Sequence, residues 1–152
     1  MYCIIICGGG GKTNLSQKYP NLFLDIDDFM WNYESQKRRH ILQQYVENNN
    51  IIGISNIYRD TMRNNKLLRN DSRIILCHRP ENADDLNRKI LCICRPTKEL
   101  HNKNIEQRNT ILKKFARNDW ISLSEYKPYE YNNFYEFNNF IFGCLISIKI
   151  QN

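Results

Sequence analysis

Four of the six glycines in this chain stand together, Gly8 to Gly11, and they run directly into Lys12 and Thr13. Consecutive glycines between a strand and a helix let backbone N–H groups turn inward with no Cβ in the way, which forms a cradle for an anion. A lysine at the start of the following helix adds a charge that reaches outer phosphates, and the next hydroxyl can ligate Mg²⁺. Phosphate binding is therefore the chemistry to which Gly8, Gly9, Gly10, Gly11, Lys12 and Thr13 point. The pattern G-x-x-x-x-G-K-[ST] asks for glycine at position 6, where this chain has Ile6. Either Gly8 to Gly10 close the loop differently or its grip on phosphate is weakened. A second cluster, Asp25, Asp27 and Asp28, follows another apolar run. These acids suit proton abstraction or ligand binding; alternatively Asp27 or Asp28 caps a helix beginning at Phe29.

Such groups act together only if the chain brings them to one place. Tyr2 to Cys7 is a short apolar β-rich run, read as a buried parallel strand. Lys12 to Tyr19 reads as a helix ended by Pro20, and Asn21 to Ile26 as a second strand closing on the acids. Phe29 to about Glu47 has helical spacing, with Asn48 to Asn50 as its stop. Ile51 to Ser55 is a strand or a helix connection, and Asn56 to Asn70 is helical. Arg73 to Cys77 and Ile90 to Cys94 are buried strands, each followed by an Arg-Pro pair. Lys98 to Arg117 is a long polar helix, and Cys144 to Ile150 is expected to form a last strand. Strands alternating with helices predict an α/β fold with a parallel sheet.

The 152 residues suffice for one domain with its own core. No apolar run approaches the roughly 20 residues of a membrane helix, and no basic region precedes the first apolar run, so an intracellular protein without a membrane is expected. The six cysteines all sit in or beside apolar runs and read as small buried hydrophobes rather than disulfides or metal ligands. The net charge of +6 suits a polyanionic partner without specifying one. Heavy use of asparagine and isoleucine reads as an AT-rich coding bias of viral type rather than a functional tract. Oligomeric state is left open.

Three stretches resemble the P-loop kinases of the nucleoside monophosphate kinase and polynucleotide kinase type: "ICGGGGKT" (Ile6 to Thr13), "LDIDDF" (Leu24 to Phe29) and "CRPTKELHNKNIEQR" (Cys94 to Arg108). The resemblance covers about the first 110 residues. It implies a three-layer P-loop fold, with about five parallel strands and helices on both faces. ATP would be the phosphoryl donor, Mg²⁺ the cofactor, and a nucleotide, nucleoside or polynucleotide end the acceptor. The glycine amides and Lys12 would hold the donor and Thr13 the metal. Asp27 would take the acceptor's proton, and Asp25 would bind substrate or orient metal-bound water. A lid over about residues 95–118 would bring Arg108 onto the donor phosphates; a different register, within Arg79 to Lys89, gives that role to Arg88. Arg59 and Arg63, four apart on one helix face, would grip an acceptor phosphate or lie in solvent. Trp31 and Trp120 read as core or rim residues, and His40, His78 and His101 lack metal-ligand spacing. Neither "RIILCH" nor "ILCICR" ends in the aspartate usual in P-loop enzymes, so that second metal acid is missing or supplied by Asp25 or Asp27. The leading expectation is an ATP-dependent kinase; the alternative is a degenerate nucleotide-binding or regulatory protein on the same fold.

Overall fold

The computed structural model describes residues 1–151, with side chains through residue 148. Five strands, β1 (Tyr2–Ile6), β2 (Phe23–Asp25), β3 (Ile74–Cys77), β4 (Lys89–Pro96) and β5 (Tyr129–Tyr131), form one sheet in the order β2-β3-β1-β4-β5. Every pair is parallel, so all five strands end at the same edge of the sheet. β1 lies at the centre, with Ile4 beside Leu76 on one side and Cys92 on the other. Its connections explain why a site forms there. The chain leaves β1 toward β2 and leaves β3 in the opposite direction toward β4, which opens a crevice beyond the strand ends.

A central parallel strand is covered on both faces and reads as an unbroken apolar run. Successive residues serve different layers. Cys3, Ile5, Leu24, Ile75 and Cys77 pack with α3 (Gln36–Glu47), α4 (Ile51–Asn64), α5 (Lys66–Asn70) and α6 (Glu81–Leu86) through Leu42, Ile54, Met62, Leu68 and Leu86. Ile4, Ile6, Phe23 and Leu76 pack on the other face with Leu15 of α1 (Lys12–Lys18) and with Phe137 and Ile141 of α9 (Phe134–Gln151). The expected three layers and parallel sheet are present. No helix among the described residues is long and apolar enough to cross a membrane. All six cysteines are free thiols, four of them buried.

Several boundaries differ from expectation. Cys144 to Ile150 continues α9 and is not a strand; β5 is instead the short Tyr129–Tyr131. The tail's apolar residues are too dense to show a period, and burial of Phe137 and Ile141, one helical turn apart, decides for helix. Ile51 to Ser55 opens α4. The stretch after β2 is a single turn α2 (Ile26–Asp28), a π-turn Phe29–Tyr33 and then α3. The long Lys98–Arg117 helix is broken into α7 (Lys98–Ile105) and α8 (Thr110–Ser122). Asn109 makes the break by accepting a hydrogen bond from the Leu112 amide, 3.0 Å away, as the cap of α8. Asn50 and Asn65 cap α4 and α5 in the same way, so part of the asparagine bias is structural.

Arg88, the alternative lid arginine, is removed from that role. Its side chain is buried at 7 % exposure and donates to five carbonyls: Tyr2 (3.3 Å), Leu68 (3.4 Å), Arg69 (3.4 Å), Asp71 (2.5 Å) and Arg73 (2.7 Å). It staples the end of α5 to the starts of β1 and β3. Arg88→Ala strands several buried carbonyls, each costing roughly 1–3 kcal/mol when unpaired, and water can rescue only some of them. Urea unfolding should therefore show a loss of about 3 kcal/mol, and Arg88→Lys should recover only a minor part, because one ammonium cannot span the five acceptors.

Candidate functional site

At the carboxyl edge of the sheet, three strand ends surround one ammonium group. Lys12, only 4 % exposed, sits 3.5 Å from the Ile6 carbonyl at the end of β1. Its Nζ is 3.2 Å from His78 Nδ1, just past β3, and 3.6 Å from Asp27 Oδ2, just past β2. His78 Nε2 lies 2.8 Å from Asp27 Oδ1, and its Nδ1 also faces Asp119 Oδ2 at 3.6 Å. Tyr58 of α4 donates its hydroxyl to the same oxygen, also at 2.8 Å. Burial alone would raise the Asp27 pKa, but His78 and Lys12 outweigh it and hold the carboxyl well below the usual carboxylate range. Burial works against the Lys12 charge too, yet Asp27 and Asp25 hold its pKa above the ordinary lysine value.

Asp25 has a different task. Fully buried, it accepts the Asp27 amide on Oδ1 (3.0 Å) and the Thr13 hydroxyl on Oδ2 (2.8 Å). It is thus the cap of the turn after β2, a role expected of Asp27 or Asp28, and it ties that turn to the end of the glycine loop. Burial, and next the charge of Asp27, raise its pKa. Asp28 faces outward to Asn32.

The glycine loop owes its orientation to residues far along the chain. His101 Nε2 of α7 lies 2.8 Å from the Gly8 carbonyl, Asn104 Nδ2 donates to the Gly9 carbonyl at 2.9 Å, and the Tyr131 hydroxyl of β5 donates to the Gly10 carbonyl. In a trans peptide the carbonyl and the next N–H point in opposite directions. Anchoring the Gly8 and Gly10 carbonyls therefore turns the Gly9 and Gly11 amides the other way, and neither has an acceptor among the described residues. Gly9 and Gly11 have φ of 77° and 96°, the left-handed region that excludes most side chains. Ile6 is accommodated because Gly10 lacks a Cβ: one added there would overlap the Ile6 Cγ2 methyl. The departure from the phosphate-loop pattern is thus absorbed by packing and leaves the amides available.

Two cavities meet here. One of about 250 Å³ is lined by Gly9, Gly11, Lys12, Thr13, Asn104 and Phe134. The other, about 490 Å³, runs between α3, α4 and α8, with Trp31, Tyr58, Arg59, His78, Arg79 and Phe115 in its wall. Asp27 and Arg108 line both. The break between α7 and α8 places Arg108 beside the loop, its Nη1 3.5 Å from where a Gly8 Cβ would stand, and no described side chain pairs with it. Arg59 reaches the larger cavity, but Arg63 is not part of its lining, and both guanidinium groups bind Asp85, at 3.2 and 2.6 Å. Sequence reasoning missed Tyr58, Arg79, Phe115 and Asp119 and saw His78 only as an unmatched histidine. Its position directly after a strand, where the resemblance expects a metal acid, was the available signal. Trp120 is structural, donating to the Pro96 carbonyl at 2.8 Å, whereas Trp31 faces the cavity.

Comparison of the chain with family models, with curated proteins and with solved structures finds no match in any of the three. The arrangement has to be argued from its own chemistry: buried cation, unengaged amides, ionised carboxylate and unpaired arginine around one junction.

Two measurements follow from this geometry. Tyr131→Phe and His101→Ala each release one loop carbonyl; if the loop holds phosphates, each should weaken tripolyphosphate binding about tenfold by calorimetry, with His101→Gln recovering most of the loss. The depressed pKa of Asp27 means that its ionisation contributes stability above the unfolded value of about 4, and that this is lost as the pH falls toward the folded value. The stability gap between the protein and Asp27→Asn should accordingly narrow below about pH 4; a gap constant from pH 7 to 2 would show that the charge is not held by His78 and Lys12.

Proposed function

We propose that the protein is an ATP-dependent kinase of the P-loop type, which passes the terminal phosphoryl group of ATP to an acceptor hydroxyl or phosphate. One observation carries the reading: Asp27 and Arg108 form the shared wall of a cavity of about 250 Å³ at the glycine loop and one of about 490 Å³ beside it. Phosphoryl transfer needs mainly positioning and charge neutralisation, with attacking and leaving oxygens in line. The Gly9 and Gly11 amides and Lys12 would hold the donor phosphates, and Arg108 would answer the charge that develops during transfer. Thr13, in the wall of the loop cavity, offers a hydroxyl of the kind Mg²⁺ accepts beside water and phosphate oxygens, and Asp25, buried behind it and bonded to that hydroxyl at 2.8 Å, would orient it. Bound there, Mg²⁺ would neutralise part of the donor's charge.

Asp27 as it stands is a weak base, because burial is overcome by His78 and Lys12. Donor phosphates compete for the Lys12 ammonium. As Lys12 turns to them, Asp27 loses one stabilising cation and its affinity for a proton rises, just when an acceptor hydroxyl must be deprotonated. His78 and Tyr58 meanwhile keep Oδ1 fixed and leave Oδ2 toward the acceptor. A second reading, nucleotide binding without turnover, is favoured by one feature: β3 is followed by His78, which bridges Lys12 and Asp27 in place of a second metal acid.

Incubation with γ-labelled ATP, Mg²⁺ and panels of nucleosides, nucleotides and oligonucleotides separates the two, since tight ATP binding with no labelled product supports the second. If transfer occurs, Lys12→Ala should abolish it. Asp27→Asn should lower kcat on the order of 100- to 10,000-fold with a hydroxyl acceptor while ATP affinity changes little. Asp28→Asn, which alters a group facing away from the junction, should leave kcat unchanged.

A further inference from the structure

The larger cavity also carries information about what it receives. We propose that the acceptor is an uncharged planar alcohol of nucleoside size rather than a nucleotide or a nucleic-acid end, an inference that rests on the kinase reading above. The cations that could receive an acceptor phosphate are already engaged. Arg59 and Arg63 share Asp85, at 3.2 and 2.6 Å, and Arg79 is held by Asp119 at 2.6 Å. Of the arginines in the cavity wall only Arg108 has no carboxylate among the described residues, and it stands at the border with the glycine loop, where donor phosphates would claim it. Glu81 and Asp119 add negative charge to the wall beside Arg59 and Arg79, while the charge of Asp27 is met by Lys12 and His78. A phosphate entering there would have to compete with Asp85 for Arg59 or with Asp119 for Arg79. A nucleic-acid end would need a cationic track along its backbone, and this wall offers none despite the chain's net charge of +6.

The rest of the wall suits a flat, uncharged body. Trp31, Tyr58 and Phe115 present aromatic groups, and Leu42, Val46 and Ile54 present aliphatic ones. A volume of about 490 Å³ falls in the ordinary range for a small-molecule site, about 300–1,000 Å³. One hydroxyl of such a ligand would meet Asp27 Oδ2, whose only partner among the described residues is Lys12 at 3.6 Å. In the transfer the acceptor oxygen forms the new bond to the terminal phosphorus of ATP, its proton goes to Asp27, and the bond from that phosphorus to the bridging oxygen breaks to release ADP.

Calorimetric titration in the absence of ATP tests the class directly, with adenosine, guanosine, cytidine and thymidine, their 5′-monophosphates, and a 5′-hydroxyl oligonucleotide as probes. At least one nucleoside should bind about tenfold or more tightly than its own monophosphate and than the oligonucleotide. Asp85→Asn, which frees Arg59 and Arg63, should raise monophosphate affinity about tenfold and leave nucleoside affinity unchanged; the unchanged nucleoside titration also reports that the variant is folded. A monophosphate or oligonucleotide that binds the unaltered protein more tightly, or a panel in which no nucleoside binds, overturns the inference. Labelled ATP keeps the two readings apart: transfer to a monophosphate upholds the kinase and sinks this acceptor class, whereas nucleoside binding without transfer upholds the ligand class and sinks the kinase.

Discussion

Removing an ammonium group from water costs several kcal/mol unless charge and hydrogen bonds are supplied in its place. Lys12 retains almost no exposure, and its compensation comes from the ends of three different strands: the Ile6 carbonyl of β1, Asp27 after β2 and His78 after β3. These groups converge only if β3 lies between β1 and β2 and all three run the same way, as they do. The buried cation thereby ties sheet order to the chemistry at the sheet's edge. Asp25 extends the same bracing by joining Thr13 to the turn that carries Asp27.

The other half of the molecule sets the loop. His101 touches the Gly8 carbonyl while packing against Trp120, their rings 6.1 Å apart, and the Arg95 guanidinium lies 3.9 Å over Trp120 and binds Glu130 at 2.9 Å. Burial lowers the pKa of His101 and favours its neutral form, which can still donate from Nε2. A continuous set of contacts therefore runs from β5 to the glycine amides. The segment expected to form a lid, about residues 95–118, is docked on the loop through α7, and the turn carrying Arg108 lines both cavities.

Charge is spent locally in this protein. Although the chain is basic, Arg59 and Arg79 in the wall of the larger cavity are each held by a carboxylate, Asp85 and Asp119, so the overall charge says little about that cavity. What distinguishes the two cavities is the supply of unengaged donors. The smaller one has free amides and a lysine; the larger one has aromatic walls and satisfied ion pairs. On the kinase reading proposed above, that difference would separate donor phosphates from an acceptor ring, with one carboxylate between them.

The layered α/β class, the glycine loop with Lys12 and Thr13, and the acids after β2 were legible in the sequence because each is a local signal: an apolar run, a cluster of glycines, residues at fixed spacing. Arg108 was legible only through a resemblance, and its placement depended on the helix break that Asn109 creates. The tail was misread because a helix packed along much of its length shows no clear period. The partners of the site lay beyond sequence reasoning altogether. His78 meets Asp27 across 51 residues, His101 meets Gly8 across 93, and Tyr131 meets Gly10 across 121. Local propensity fixes which backbone an element adopts, but a hydrogen bond between distant residues exists only once packing has brought both groups out of water, and so the tertiary structure alone decided which way the loop amides face and which charges remain unpaired.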